Sequence, residues 1–173
     1  MQYTSHYLSP LGELLLSADE IGLTGLWFAG QRYFAATLPA EHEEKDTPLL
    51  MEAREWLGLY FSGKEPSFTP PLHLMGSDFR LRVWELLLTI PYGKTVTYGE
   101  LAHRLSILRG TNTSARAIGG AVGHNPISLI VPCHRVLGAN STLTGYAGGT
   151  ERKAALLRTE GADAIIRNPS KTP

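Results

Sequence analysis

In the first thirty residues, short apolar runs alternate with turn residues. The runs at 3–8, 13–17 and 23–28 are separated by Pro10-Leu11-Gly12 and by Asp19-Glu20-Ile21-Gly22. Strand-length runs broken by Gly, Pro and Asp predict a small antiparallel meander. From 47 to 61 the period changes, and Leu49, Leu50, Ala53, Trp56, Leu57 and Tyr60 recur at helical spacing until Ser62-Gly63. One amphipathic helix is predicted there. Residues 64–72 hold Pro66, Pro70 and Pro71 and no periodicity, the mark of an extended linker. An N-terminal module with its linker is therefore predicted over 1–72, and a second domain over 73–173.

The second part is patterned as helices. Ser77 is the expected N-cap of a helix that lines one face with Phe79, Val83, Trp84, Leu87 and Leu88 and stops at Pro91-Tyr92-Gly93. Thr97-Tyr98-Gly99-Glu100 fits a capping box at the start of a helix over 98–105. A Gly, Thr and Asn loop at 110–113 leads to Ser114 and a third helix ending near Val122. Helix, glycine-containing turn, helix is the helix-turn-helix arrangement, although many such pairs are only packing units. The fold class expected is α+β, a small module with an antiparallel sheet followed by a mainly helical domain. The third helix has almost no bulk on one side, at Ala115, Ala117, Gly119, Gly120 and Ala121. Since a helical glycine costs up to about 1 kcal/mol against alanine, either a large partner or a neighbouring helix approaches closely there. Two charges oppose the helix dipole: Arg116 in a first turn, and Glu160 in the last turn of a helix predicted over 151–160.

Composition refines this picture in two places. The chain of 173 residues carries 16 basic and 16 acidic side chains, yet the neutral total conceals an asymmetry. Residues 1–76 hold four Lys and Arg against ten Asp and Glu, a balance of −6, and residues 77–173 hold twelve against six, +6. Only the second part is suited to face phosphate. The chain has no apolar run of membrane-spanning length, and its first residues have neither a basic region nor an apolar secretory core. A cytoplasmic protein without membrane contact is expected.

The single cysteine, Cys133, stands in Leu129-Ile130-Val131-Pro132-Cys133-His134-Arg135-Val136, read as an apolar strand that delivers a thiol to the rim of a pocket. One cysteine permits neither an internal disulfide nor a multi-cysteine zinc site. A free cysteine is often an inert buried hydrophobe. An adjacent imidazole and guanidinium, however, are groups that favour the nucleophilic thiolate.

These motifs carry a resemblance. Ile90-Pro91-Tyr92-Gly93, Thr97-Tyr98-Gly99, Ala115-Arg116-Ala117-Ile118-Gly119-Gly120, Asn125-Pro126-Ile127, the cysteine motif, Gly145-Tyr146-Ala147-Gly148-Gly149 and Leu156-Leu157 with Glu160-Gly161 occur in that order. Over about 79–162 the chain resembles the methylated-DNA–protein-cysteine methyltransferases, the O6-alkylguanine-DNA alkyltransferases. The resemblance implies irreversible transfer of an alkyl group from O6-alkylguanine, and in some cases O4-alkylthymine, in double-stranded DNA to Cys133, once per molecule. It implies that His134 acts as base through a water, that Glu160 orients His134, and that Asn125 braces the turn before the cysteine. It implies that Tyr98 helps rotate the nucleotide and donates a hydrogen bond to the guanine, and that Arg116 fills the gap in the base stack. Ser114, Ala115, Ala117, Gly119, Gly120 and Arg135 are expected at the DNA, and Pro132, Val136, Tyr146 and Ala147 around the substrate pocket. A monomer without cofactor or metal is expected; some members hold a zinc in the first module, but this one has only His6 and His42 there as histidine candidates. The chain departs from many members in a longer turn over 108–113, in His124, and in Ala147 where some have serine. A DNA-binding protein that flips the base without reacting, and a cysteine hydrolase, are the competing readings.

Overall fold

The computed structural model describes residues 1–162; the segment 163–173, the end of the expected second domain, lies outside the described residues. The chain divides into two compact units. One is Met1–Met75 together with Pro126–Ile130, and the other is Gly76–Asn125 with the chain from Val131 onward. The short apolar segment inside 73–173 thus joins the first unit.

In the first unit, β1 (Tyr3–Ser9), β2 (Gly12–Ala18) and β3 (Leu23–Phe28) form the meander. The register runs Tyr3 opposite Ala18 to Ser9 opposite Gly12, and Leu14 opposite Phe28 to Leu16 opposite Leu26. A fourth strand, β4 (Glu43–Glu44), pairs with β1 in parallel, so the sheet order is β3-β2-β1-β4 and the sheet is mixed, not antiparallel throughout. Two exposed glutamates carry no apolar alternation, and this strand was not legible in the sequence. Helix α1 (Pro48–Phe61) is capped by the Thr47 hydroxyl, which accepts from the Leu50 amide. It buries Leu50, Ala53, Trp56, Leu57 and Tyr60, the face its spacing predicts.

The outer edge of β3 would be a template for unwanted pairing. Two segments cover it. The Leu23 amide donates to the Pro71 carbonyl at 2.8 Å and the His73 amide to the Leu23 carbonyl at 2.7 Å. Further along, the Leu26 amide donates to the Pro126 carbonyl at 2.8 Å and the Ser128 amide to the Leu26 carbonyl at 3.0 Å. A Cβ on Gly22 would lie 2.7 Å from the Pro71 oxygen, so the linker can dock only against a glycine.

The second unit is built from α2 (Asp78–Leu87), α3 (Tyr98–Arg109), α4 (Ala115–Gly123) and α5 (Thr150–Thr159). A two-stranded parallel pair joins β5 (Val96–Thr97) to β6 (Val136–Leu137). Ser77, Thr97 and Ser114 cap their helices as expected, accepting from the amides of Arg80, Glu100 and Ala117. Helix α2 buries Val83, Trp84 and Leu87, while Leu88, expected on that face, is 41% exposed at the C-cap. The Trp84 indole donates to the Ala121 carbonyl at 2.8 Å and ties α2 to α4.

Helix α3 runs four residues past its predicted end, to a left-handed Gly110. The long turn that follows is tied back to the helix. The Ser106 hydroxyl accepts from the Thr113 amide at 2.9 Å, and Arg109 donates to the Thr113 hydroxyl at 3.0 Å while its guanidinium lies over Phe79. The stretch before the cysteine is not a strand but a series of tight turns, with buried Leu129 at φ 72° and Cys133–Arg135 forming a short 3-10 helix. Apolar content there reflects burial, which a compact turn satisfies as well as a strand.

Candidate active site

Glu160 caps the C-terminal end of α5, where the helix dipole disfavours a carboxylate. Three donors overcome that disadvantage. The His134 imidazole meets it through Nε2 at 2.5 Å, the Arg135 Nε donates at 2.8 Å, and the Gly93 amide donates at 3.0 Å. The side chains of His134 and Glu160 are both fully buried. Gly93 sits at φ +77°, and a Cβ there would lie 3.0 Å from the Glu160 carbonyl oxygen, which gives the Pro91-Tyr92-Gly93 motif its physical reason.

The electrostatics follow from these contacts. Burial alone would raise the Glu160 carboxyl, but the His134 hydrogen bond and the Arg135 guanidinium together hold it well below the usual carboxylate range. Burial pushes the His134 imidazole down, against the opposing pull of Glu160, so the ring is neutral near neutral pH. With Glu160 ionised, Nε2 carries the ring proton and donates it, and a proton taken up by the ring is received at Nδ1.

Arg135 corrects an expectation. It was placed at the DNA surface, yet it is 8% exposed, its NH1 donates to the Ile90 carbonyl at 2.7 Å, and its guanidinium lies over the Tyr92 ring. A charge held by Glu160 inside the unit does not reach phosphate; it compensates a buried carboxylate.

The Cys133 thiol, 4% exposed, lies at the first position of the 3-10 turn. Burial pushes its pKa up, and Asn125, Tyr146 and the Lys153 charge act the other way. The Asn125 amide also donates to the Val131 carbonyl at 2.8 Å, bridging the two ends of the segment that precedes the cysteine. The Tyr98 hydroxyl is raised to about 12, chiefly by burial and further by Cys133. It remains a hydrogen-bond donor at neutral pH.

Helix α4 presents the other group of expected residues. Ser114, Ala115, Arg116, Ala117 and Gly120 are exposed, and Cβ atoms on Gly119 or Gly120 would meet nothing within 4 Å. Close packing against a neighbouring helix therefore does not explain these glycines. Tyr98, Ala115, Arg116 and Gly119 line a common cleft of about 440 Å³ with Thr97, Gly99 and Ala139. Of the residues expected around a substrate pocket, Pro132 and Val136 are buried, Tyr146 and Ala147 are half-buried, and none lines this cleft.

Sequence reasoning missed Lys153. Its side chain is fully buried, its ammonium donates to the carbonyls of Thr144 at 2.8 Å and Gly145 at 2.9 Å, and it lies 5.8 Å from the centre of the Tyr98 ring. A signal was present: Lys153 shares the helical spacing of Leu156, Leu157 and Glu160, so it falls on the buried face.

Three buried side chains on one turn, a thiol, an imidazole and a guanidinium, together with a carboxylate from the end of a distant helix define a thiol-based transfer centre. The description of the 6-O-methylguanine DNA methyltransferase DNA-binding domain matches residues 78–162, and that of the family's ribonuclease-like domain matches residues 2–74. The methylated-DNA–protein-cysteine methyltransferase of Mycobacterium tuberculosis is 46% identical over 156 residues, 90% of each chain. That of Haemophilus influenzae is 39% identical over 171 residues, 98% of this chain and 92% of the other. A crystal structure of Mycobacterium tuberculosis OGT in complex with DNA superposes with a TM-score of 0.78 at 42% identity, covering 95% of this chain and 94% of that one. The chain belongs to the methylated-DNA–protein-cysteine methyltransferase family. Among the described residues, no helix is long and apolar enough to cross a membrane.

Proposed function

We propose that the protein repairs DNA by moving the alkyl group of an O6-alkylguanine onto Cys133. The observation that carries this reading is the buried Glu160 carboxylate joined to His134, next in the chain to a thiol whose environment holds three groups that favour its ionised form.

The lesion is inaccessible in a stacked duplex, so the nucleotide is extruded, at a cost of a few kcal/mol. The open small-residue face of α4 allows close approach to the duplex backbone, and Arg116, exposed in the first turn of that helix, fills the vacated stack. In the chemical step neutral His134 takes the thiol proton through a water, and ionised Glu160 stabilises the imidazolium that results. The sulfur electron pair forms the S–C bond as the C–O6 bond breaks and its electrons return to guanine. The Tyr98 hydroxyl, kept protonated, supplies the hydrogen bond that the departing base needs. The thioether has no easy hydrolytic exit, so each molecule acts once.

Mass spectrometry after mixing with duplex O6-methylguanine DNA tests this. One methyl group should be retained permanently on the peptide that contains Cys133, at no more than one equivalent, and Cys133→Ser should take up none while still binding the duplex. Multiple turnover, or a bound duplex with no mass gained, would overturn the reading; the latter is the outcome for a lesion sensor.

A further inference from the structure

The buried ammonium of Lys153 has no part in the proton relay just described. A lysine is almost never fully buried unless its charge finds a partner, because desolvating an ammonium is costly. Its hydrogen bonds go to the carbonyls of Thr144 and Gly145. Thr144 and Gly145 are themselves exposed residues, so the buried ammonium anchors a surface segment. Beyond them, the Tyr98 ring centre lies 5.8 Å from the ammonium, and the ammonium charge favours the ionised form of the Cys133 thiol. Leucine fills the neighbouring buried positions of α5, at Leu156 and Leu157. An apolar side chain at 153 would have avoided the desolvation cost.

We propose that Lys153 is a positioning residue for alkyl transfer: it grips the Thr144 and Gly145 carbonyls, so setting the segment that carries Tyr146, and it supplies the positive charge against which the Cys133 sulfur ionises. This rests on the alkyl-transfer reading of the site. The titratable groups that face it are Cys133 and His134 from the 3-10 turn and Tyr98 from α3. The charges of Arg135 and Glu160 are paired with one another. Burial brings the Lys153 ammonium down to about 8 while Cys133 acts in the opposite direction. It is therefore charged at neutral pH, when a thiolate needs it. Its proton stays in place during the reaction; the thiol proton goes to His134.

The test is the single-turnover rate of alkyl uptake from free O6-benzylguanine, a substrate that needs no base extrusion, measured from about pH 6 to about pH 10. Wild type, Lys153→Gln and Lys153→Arg are compared, with circular dichroism to establish folding. Lys153→Gln should still reach one equivalent but react at least about tenfold more slowly near neutrality, as expected on removal of a close opposite charge. Its rising limb should move to higher pH, so that the deficit narrows as pH increases. Lys153→Arg, which retains charge and donors, should keep the limb near that of wild type. A deficit uniform at all pH values would mean that Lys153 only holds the fold, and an unchanged Lys153→Gln would also overturn the proposal. If Lys153→Gln does not fold, a displaced limb in Lys153→Arg overturns it, and a retained limb supports it. Wild-type protein that takes up no alkyl group would instead overturn the alkyl-transfer reading beneath it.

Discussion

Glu160 is the residue whose position makes least sense alone and most sense in context. At a helix C-terminus it is unfavourable by a few tenths of a kcal/mol, and inside the unit it becomes the acceptor for an imidazole, a guanidinium and an amide. Two effects follow from Glu160→Gln. The imidazolium formed during transfer loses its stabilising charge, so transfer should slow by at least about tenfold. Arg135 is left as an uncompensated buried cation, which should cost on the order of 3 kcal/mol of stability. Rates measured on protein shown by urea titration to be folded separate the two. A Glu160→Gln variant with the wild-type rate across the pH range would remove Glu160 from the relay, whatever its stability.

At the scale of elements, the helix pair α3 and α4 and the cysteine turn divide the work. The pair holds Tyr98 and Arg116 on one cleft, and Trp84 fixes α4 from behind through the Ala121 carbonyl. The long turn between the two helices is pinned by Ser106 and Arg109, so its extra length does not leave α4 loosely attached. Arg116 is exposed in the first turn of α4, whereas Cys133 is buried in the 3-10 turn. Arg116→Ala should therefore slow repair of duplex O6-methylguanine much more than reaction with free O6-benzylguanine, since only the duplex lesion needs extrusion and a filled stack. Equal impairment on both substrates would place Arg116 among the residues that support the pocket.

For the molecule as a whole, the buried relay predicts the direction of acid sensitivity. His134 is depressed below its ordinary value of 6.5 in the folded state, so the unfolded chain binds a proton there first and stability falls as pH drops below about 6.5. Glu160 is depressed below 4.5, and its contribution, fully present above that pH, is lost as pH falls further. The two losses have the same sign. Urea midpoints should decrease from neutral pH to about pH 5.5 and further from about pH 4.5 to about pH 3, and Glu160→Gln should flatten the second step. A midpoint that rises on acidification would contradict the buried, neutral state of His134.

Periodicity and local chemistry determined much of this protein. The three long strands, α1, the caps at Ser77, Thr97 and Ser114, and the ordered motifs around Cys133 are written in short-range patterns, because a strand or capped helix satisfies its own backbone within a few residues. The awkward charges Arg116 and Glu160 were also visible, since the helix dipole is a local property. Only tertiary structure decided the rest. The pairing of β4 depends on a neighbour strand and not on its own glutamates. The capture of Pro126–Ile130 by the first unit depends on an open β3 edge distant in sequence. Arg135 turned inward and Lys153 stayed buried because a carboxylate in one case, and two carbonyls beside a thiol in the other, lay where no spacing rule could place them. A side chain's charge is read from the sequence, but whether it faces water or a partner is set by what the fold brings within a few ångströms of it.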